Sequence, residues 1–365
     1  MQEDKIRIGI SQGDINGIGY EVILKTLADP RIIEICTPII YGSAKIASYY
    51  RKALNIENFN LNIIHHVGEA HSKRINIINC NDENVRVEIG KATEIGGQAA
   101  FEALQAATDD LVAGKIDALV TAPINKYSIQ SEKFQFPGHT EYLESKFEKA
   151  DSLMFMVSDI MRVGVLAGHV PLAEVPGKVR KEAILEKLRS MNNSLVVDFN
   201  IRKPRIAVFG LNPHAGDNGL LGKEELEIIQ PALEIARQEG ILAFGPFPAD
   251  GFFGAENLGK FDGILAMYHD QGLAPFKALS FENGVNFTAG LPIIRTSPAH
   301  GTAFEIAGQN LANPESFRHA IYLAIDVYKN RKMDKELKAK PLASYKEKFN
   351  ASGKDEDVEK LIPQR

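Results

Sequence analysis

The sequence predicts an α/β fold: a parallel or mixed sheet with helices on both faces. Two observations carry this. Short β-branched runs alternate with longer amphipathic stretches, and the chemically capable residues fall just after the apolar runs, where α/β proteins build their sites. In chain order, IRIGI (6–10) reads as the first buried strand. The stretch 96–114 places Ala, Leu and Val at helical spacing and stops at Gly114. DALVTA (117–122), RVGVLAG (162–168) and RIAVFGL (205–211) read as further buried strands. The stretch 224–240 reads as a helix ending at Gly240, with Pro231 kinking it or dividing it into two. DGILAMY (262–268) is the last of the five strands read here. After residue 330 the composition shifts: 331–365 carries ten Lys or Arg and seven Asp or Glu, the pattern of a solvated helix or frayed tail. Residues 1–330 are therefore expected to form a single folded unit and 331–365 a charged C-terminal tail.

Composition narrows the function classes. The 365 residues are 44% hydrophobic and 24% charged, ordinary globular usage. The longest apolar runs, at 37–41 and 163–167, fall far short of the roughly 20 residues of a spanning helix. The N-terminus enters a strand without a secretory pattern, so a cytoplasmic location is expected. Cys36 and Cys80 are too few for a disulfide framework. A net charge of −5, from 42 basic and 47 acidic residues, gives no global field for nucleic acid, so an anionic ligand must meet a local cluster. Neither a G-x-G-x-x-G nor a G-x-x-x-x-G-K-[ST] loop occurs.

Five of the nine histidines lie in segments rich in Gly, Pro, Asp or Asn: FPGHTEYL (136–143), LAGHVPL (166–172), GLNPHAGDNGLLG (210–222), AMYHDQGL (266–273) and SPAHGTAFEIAG (297–308). His65, His66, His71 and His319 have no such setting. His169, His214 and His269 each follow an apolar strand. Singly, each reads as a hydrogen-bonded histidine at a strand end. Three in one topological position favour a divalent ion, with one coordination position left for substrate. His139, Thr140, Lys277, Asn286 and Arg295 supply the donors that hold a phosphate or carboxylate. Surface salt bridges are the competing reading of Lys277 and Arg295. The apolar context GLPIIRTS argues otherwise for Arg295, because a buried guanidinium needs an anion. The loop SQGDINGIGYE (11–21) opens a helix after the first strand, as a tight turn or an anion site.

These segments, taken with GDINGIGYE, TAPINK (121–126), PGHTE (137–141), GPFPAD (245–250) and VNFTAGLPIIRTS (285–297), run in order from residue 11 to about 308. In them the chain resembles the 4-hydroxythreonine-4-phosphate dehydrogenases, NAD-dependent enzymes of vitamin B6 biosynthesis. The resemblance implies a fold of the isocitrate/isopropylmalate dehydrogenase type: two intertwined α/β/α lobes with the active site in the cleft between them. It implies a homodimer with the active site shared across its interface. Metal ligands fall on His169, His214 and His269, one of them from the neighbouring subunit, and substrate-binding positions on His139, Thr140, Lys277, Asn286 and Arg295. His300 and Glu305 fall in a cofactor loop, beside the adenine and at the ribose hydroxyls.

Three departures from the family pattern stand out. The first loop reads Asp14-Ile15-Asn16-Gly17-Ile18-Gly19-Tyr20-Glu21 where the family writes Asp-Pro-Ala-Gly-Ile-Gly-Pro-Glu, and losing both prolines is expected to loosen the turn. Gly168 replaces a threonine and Ala299 an acidic residue. The implied reaction is oxidation of 4-phosphooxy-L-threonine at C3 and decarboxylation to 3-amino-2-oxopropyl phosphate. Lys277 is the candidate proton acceptor, and Asp250 or Asp270 a candidate for orienting a metal ligand. Imidazole ligands favour zinc, with magnesium, manganese or cobalt also able to serve. A carboxylate at Glu305 favours NAD over NADP. The rival readings are a sister dehydrogenase of 4-phospho-D-threonate or 4-phospho-D-erythronate and, more remotely, a phosphate acyltransferase of related fold.

Overall fold

Twelve strands form one continuous sheet in a computed structural model that describes residues 5–57, 59–81, 85–147, 152–254 and 256–339. The strands are β1 (Arg7–Ser11), β2 (Thr37–Gly42), β3 (Leu61–Ile64), β4 (Ile75–Asn79), β5 (Ala118–Thr121), β6 (Leu153–Val157), β7 (Arg162–Ala167), β8 (Arg205–Phe209), β9 (Leu242–Phe247), β10 (Gly263–Tyr268), β11 (Val285–Ala289) and β12 (Arg295–Pro298). Their order is β3-β4-β2-β1-β5-β12-β11-β6-β7-β10-β8-β9. From β3 to β12 neighbours are parallel, and so are β7, β10, β8 and β9. Antiparallel pairings of β12 with β11, β11 with β6 and β6 with β7 join the two parallel halves. The expected α/β architecture is therefore present as two parallel half-sheets on an antiparallel bridge.

The central strands are buried on both faces, as parallel strands under helices must be. In β1, Ile8 and Ile10 are fully buried, and the same holds for Leu119 and Val120 of β5. The helix Glu94–Val112 starts at Thr93, whose hydroxyl accepts from the Gly96 N–H at 3.0 Å, and Gly114 at φ +68° ends it. The stretch around Pro231 is divided differently from a simple kink. A π-helical turn, Glu225–Ile229, runs directly into the α-helix Gln230–Gln238. Pro231 follows that π-helical turn inside a continuous helix, and the wider turn before it accommodates the N–H that proline lacks.

The loop after β1 is buried from Ser11 to Tyr20 rather than loosened. Tyr20, standing where the family has proline, donates to Gln12 Oε1 at 2.6 Å and accepts from the Ser43 N–H at 2.8 Å. Its ring stacks on Tyr50 at 5.6 Å, and Tyr50 donates to the Ile15 carbonyl at 2.8 Å. Two hydroxyls thus supply the restraint that the prolines would have given. The helix Glu315–Ala339 crosses the expected boundary at 330 without a break, and the rest of the expected tail lies outside the described residues. Among the described residues no helix is long and apolar enough to cross a membrane.

Candidate active site

Register builds the floor of a cavity of about 310 Å³ over the antiparallel bridge. Met156 of β6 lies opposite Asn286 of β11, which lies opposite Ser297 of β12, and all three line the cavity. Side chains two residues apart share a face, so Met154 and Arg295 line it as well. The walls come from strand ends: Thr121 and the segment after β5, His139, His169 after β7, and His269 and Lys277 on the helix His269–Ser280 after β10. His300 closes the side beyond β12. Of the residues singled out in the sequence, His139, His169, His269, Lys277, Asn286, Arg295 and His300 therefore share one cavity.

Thr140, the second residue of the short helix His139–Glu144, is not among its lining residues. Glu305 is exposed on the turn Phe304–Ile306. His214 and Asp250 line a neighbouring cavity of about 480 Å³ with Tyr268 and Gln271. Strand order explains the separation: β7 and β10 are neighbours, which brings His169 and His269 together, whereas β8, which leads to His214, lies beyond β10. Among the described residues of one chain, no three His, Cys, Asp or Glu side chains group to hold an ion.

The expectation of a buried, anion-seeking guanidinium at Arg295 fits the geometry. Arg295 is 3% exposed. It donates to Thr121 Oγ1 at 2.8 and 3.1 Å and to Thr288 Oγ1 at 3.3 Å, and among the described residues it has no carboxylate partner. Burial pulls its pKa down to about 10, with Glu141 opposing the fall. His139 is held well below the usual imidazole range by burial and then by the Arg295 and Lys126 charges, so it is neutral. Its Nε2, like Asn286 Oδ1 and His300 Nε2, is buried without a partner. Three orphaned polar atoms around a buried cation are what a site shaped for a polar, anionic ligand leaves behind.

The metal reading can be tested on the imidazoles. The His169 and His269 rings lie 6.1 Å apart, and each presents Nδ1 to a carboxylate: His269 to Asp270 at 2.7 Å, His169 to Glu141 at 3.5 Å. The contact with His169 lowers the Glu141 pKa. Carboxylates on Nδ1 leave both Nε2 atoms available, the usual support for ligating histidines. The donors therefore fit an ion with two ligands from one chain. Of the two aspartates singled out in the sequence, Asp270 contacts His269, whereas Asp250 lines the neighbouring cavity with His214.

Three contributors were not foreseen. Glu141 stands two residues after His139, and no sequence spacing links it to His169. Lys126, the last residue of TAPINK, lines the cavity. Glu225 is buried on the π-helical turn, where its carboxylate accepts from the Asn212 N–H at 2.8 Å and from its side-chain amide at 3.0 Å. It thereby braces a left-handed turn in which residues 214–218 all have positive φ. Left-handed backbone costs about 1–2 kcal/mol at each non-glycine residue, and such strain persists only where the surroundings hold it. Gly216 is required there, because at φ +81° a β-carbon would sit 2.5 Å from the Glu225 carboxylate.

Residues 34–324 match the family described as "Pyridoxal phosphate biosynthetic protein PdxA". The 4-hydroxythreonine-4-phosphate dehydrogenase of Bacteroides thetaiotaomicron is 54% identical over 97% of this chain and 98% of its own. A protein of Oceanobacillus iheyensis, provisionally named a D-threonate 4-phosphate dehydrogenase, is 38% identical over 88% of this chain and 97% of its own. Among solved structures, the 4-hydroxythreonine-4-phosphate dehydrogenase of Klebsiella pneumoniae superposes with a TM-score of 0.77 at 34% identity, covering 89% of this chain and all of that one. Isocitrate dehydrogenase from Methylococcus capsulatus, at 12% identity and a TM-score of 0.50 over 92% of this chain and 89% of its own, shares the fold alone. By the family match and the 54% identity across nearly its whole length, the chain belongs to the PdxA family of pyridoxal phosphate biosynthetic proteins.

Proposed function

We propose that this chain is a 4-hydroxythreonine-4-phosphate dehydrogenase that oxidises 4-phosphooxy-L-threonine at C3 with NAD and yields 3-amino-2-oxopropyl phosphate, carbon dioxide and NADH. The observation that carries the reading is the cavity that joins His169 and His269 to a buried Arg295 with no carboxylate partner among the described residues, in a chain 54% identical to a protein of that name. His139, Asn286 and Arg295, which line the cavity, bind the anionic ends of the substrate. His169 and His269, completed by His214 of the partner subunit in a homodimer, would hold one divalent ion, zinc for preference and otherwise magnesium, manganese or cobalt. With that ion and NAD bound, the site gains Lewis acidity at the C3 hydroxyl and a hydride acceptor.

The chain's own residues then have defined tasks. Asp270 and Glu141 fix the orientation of His269 and His169 through Nδ1. Lys277 Nζ accepts the C3 hydroxyl proton as the C3 hydride leaves. The resulting ketone lies β to the carboxylate, so it takes up the electron pair released as carbon dioxide departs. His300 and Glu305 face the cofactor, and the Glu305 carboxylate disfavours the 2′-phosphate of NADP.

A second reading, oxidation of 4-phospho-D-threonate or 4-phospho-D-erythronate, draws on the Oceanobacillus iheyensis relative. NADH formation with the three substrates side by side separates the two. Turnover of 4-phosphooxy-L-threonine in preference to both sugar-acid phosphates supports the biosynthetic reading. The reverse preference moves the enzyme to the sister reaction with the same site.

A further inference from the structure

The cavity wall carries one cation outside the set assigned so far, Lys126. Its backbone is fixed by its neighbours. Asn125 Oδ1 accepts from the N–H groups of Tyr127 at 3.0 Å and Ser128 at 2.9 Å. Gln130 Nε2 donates to the Lys126 carbonyl at 3.1 Å and to the Phe136 carbonyl at 2.8 Å. The side chain passes over Gly138, where an added β-carbon would lie 3.8 Å from Lys126 Cε. Among the described residues its ammonium has no hydrogen-bond or ion-pair partner.

An unpartnered surface lysine by itself means little. Here position and charge count give it meaning. Lys126 and Arg295 are the two cations that bear on His139, whose Nε2 is buried and unpartnered. Lys277 stands apart on the helix that begins at His269, across the floor strands from β5 and β12. A phosphate monoester carries a charge of about −1.5 to −2 near neutrality. On the β5 and β12 side, Arg295 offers one positive charge, the Glu141 carboxylate acts on it and on Lys126 and offsets part of that charge, and the guanidinium already serves two threonine hydroxyls. His139, being neutral, adds a hydrogen bond but no charge. The second charge must come from elsewhere, and Lys126 supplies it.

We propose that Lys126 is a substrate-binding residue that pairs with Arg295 to hold the phosphate end of the substrate, leaving Lys277 for the reacting end. This rests on the phosphorylated substrate proposed above. Lys126 is exposed, so Lys126→Met and Lys126→Arg are compatible with folding. Two measurements on the full-length protein test the assignment: steady-state kinetics with 4-phosphooxy-L-threonine, and the melting temperature with added inorganic phosphate against sodium chloride of equal ionic strength. Lys126→Met is expected to raise KM roughly 10- to 100-fold, the weight of one charge-assisted bond, with the loss falling mainly in KM rather than kcat. Lys126→Arg is expected to restore most of it. Phosphate is expected to raise the melting temperature of the parent protein and to lose most of that effect in Lys126→Met. An unchanged KM, a loss confined to kcat, or phosphate stabilisation equal in parent and Lys126→Met would overturn the assignment. A parent that turns over the substrate beside an indistinguishable Lys126→Met refutes the role of Lys126 alone. A parent stabilised by phosphate through Lys126 but silent with the substrate refutes the proposed reaction alone.

Discussion

Replacing Arg295 with methionine should remove substrate binding while leaving the ligand-free protein about as stable as before. The magnitude follows from its surroundings. Arg295 is 3% exposed, and burial pulls its pKa to about 10. A fall of that size from the ordinary arginine value corresponds to about 3 kcal/mol of uncompensated burial of the charge, at 1.36 kcal/mol per pKa step. Methionine fills most of the same volume without a charge, as when other buried ionic groups are replaced by apolar ones. Against this stand the three lost bonds, two to Thr121 and one to Thr288, about 1 kcal/mol each. The two sides cancel, and the expected net change is about zero. The sign with pH is fixed too. A cation whose folded pKa is depressed destabilises the fold at all pH values below that pKa, and the cost is relieved only as pH rises past about 10. At neutral pH both sides of the balance are therefore fully present, and urea unfolding of ligand-free parent and variant should agree to within about 1 kcal/mol. A variant destabilised by about 3 kcal/mol or more would show that the guanidinium is already compensated, and the argument for a missing anion would fail.

Other perturbations follow from the same contacts. His139, buried neutral, lends stability that is fully present above the unfolded histidine pKa and is lost as pH falls below it; His139→Gln should flatten the difference in unfolding free energy between pH 7 and pH 5. Glu225→Ala strips the acceptor from the Asn212 N–H and should cost about 2–3 kcal/mol in urea unfolding, whereas Glu225→Gln keeps an acceptor and should cost less. Tyr20→Phe removes the hydroxyl between Gln12 and Ser43 and should cost about 1–3 kcal/mol, read as a lower urea midpoint. Asp270→Asn keeps a hydrogen-bonding side chain beside His269 Nδ1 but alters the tautomer it favours; binding of zinc to the isolated protein, measured by calorimetry, should weaken about 10- to 100-fold.

The sequence carried the strands that are largely apolar along their length, such as β1, β8 and β10, because burial on both faces leaves an apolar signature. β12, Arg-Thr-Ser-Pro, has no such run and owes its place to pairing with β11 and β5. That bridge is what makes one sheet of two halves, and it depends on contacts between distant segments. His169, His214 and His269 were legible because each follows a strand amid Gly, Pro, Asp or Asn. Their grouping was not: His214 parts from His169 and His269 through strand order alone. Glu141, Lys126 and Glu225 act through partners that only folding brings near. In PHAGDNG the glycines announce a turn, but five successive left-handed residues require the buried Glu225 beneath them.

The most direct test of the central claim is NADH formation from 4-phosphooxy-L-threonine by the full-length protein, first stripped with a chelator and then restored with zinc or another divalent ion. The account predicts turnover that disappears on stripping and returns with the metal, with one carbon dioxide released per NADH. Undiminished turnover after thorough chelation, or no NADH with metal restored, would contradict it.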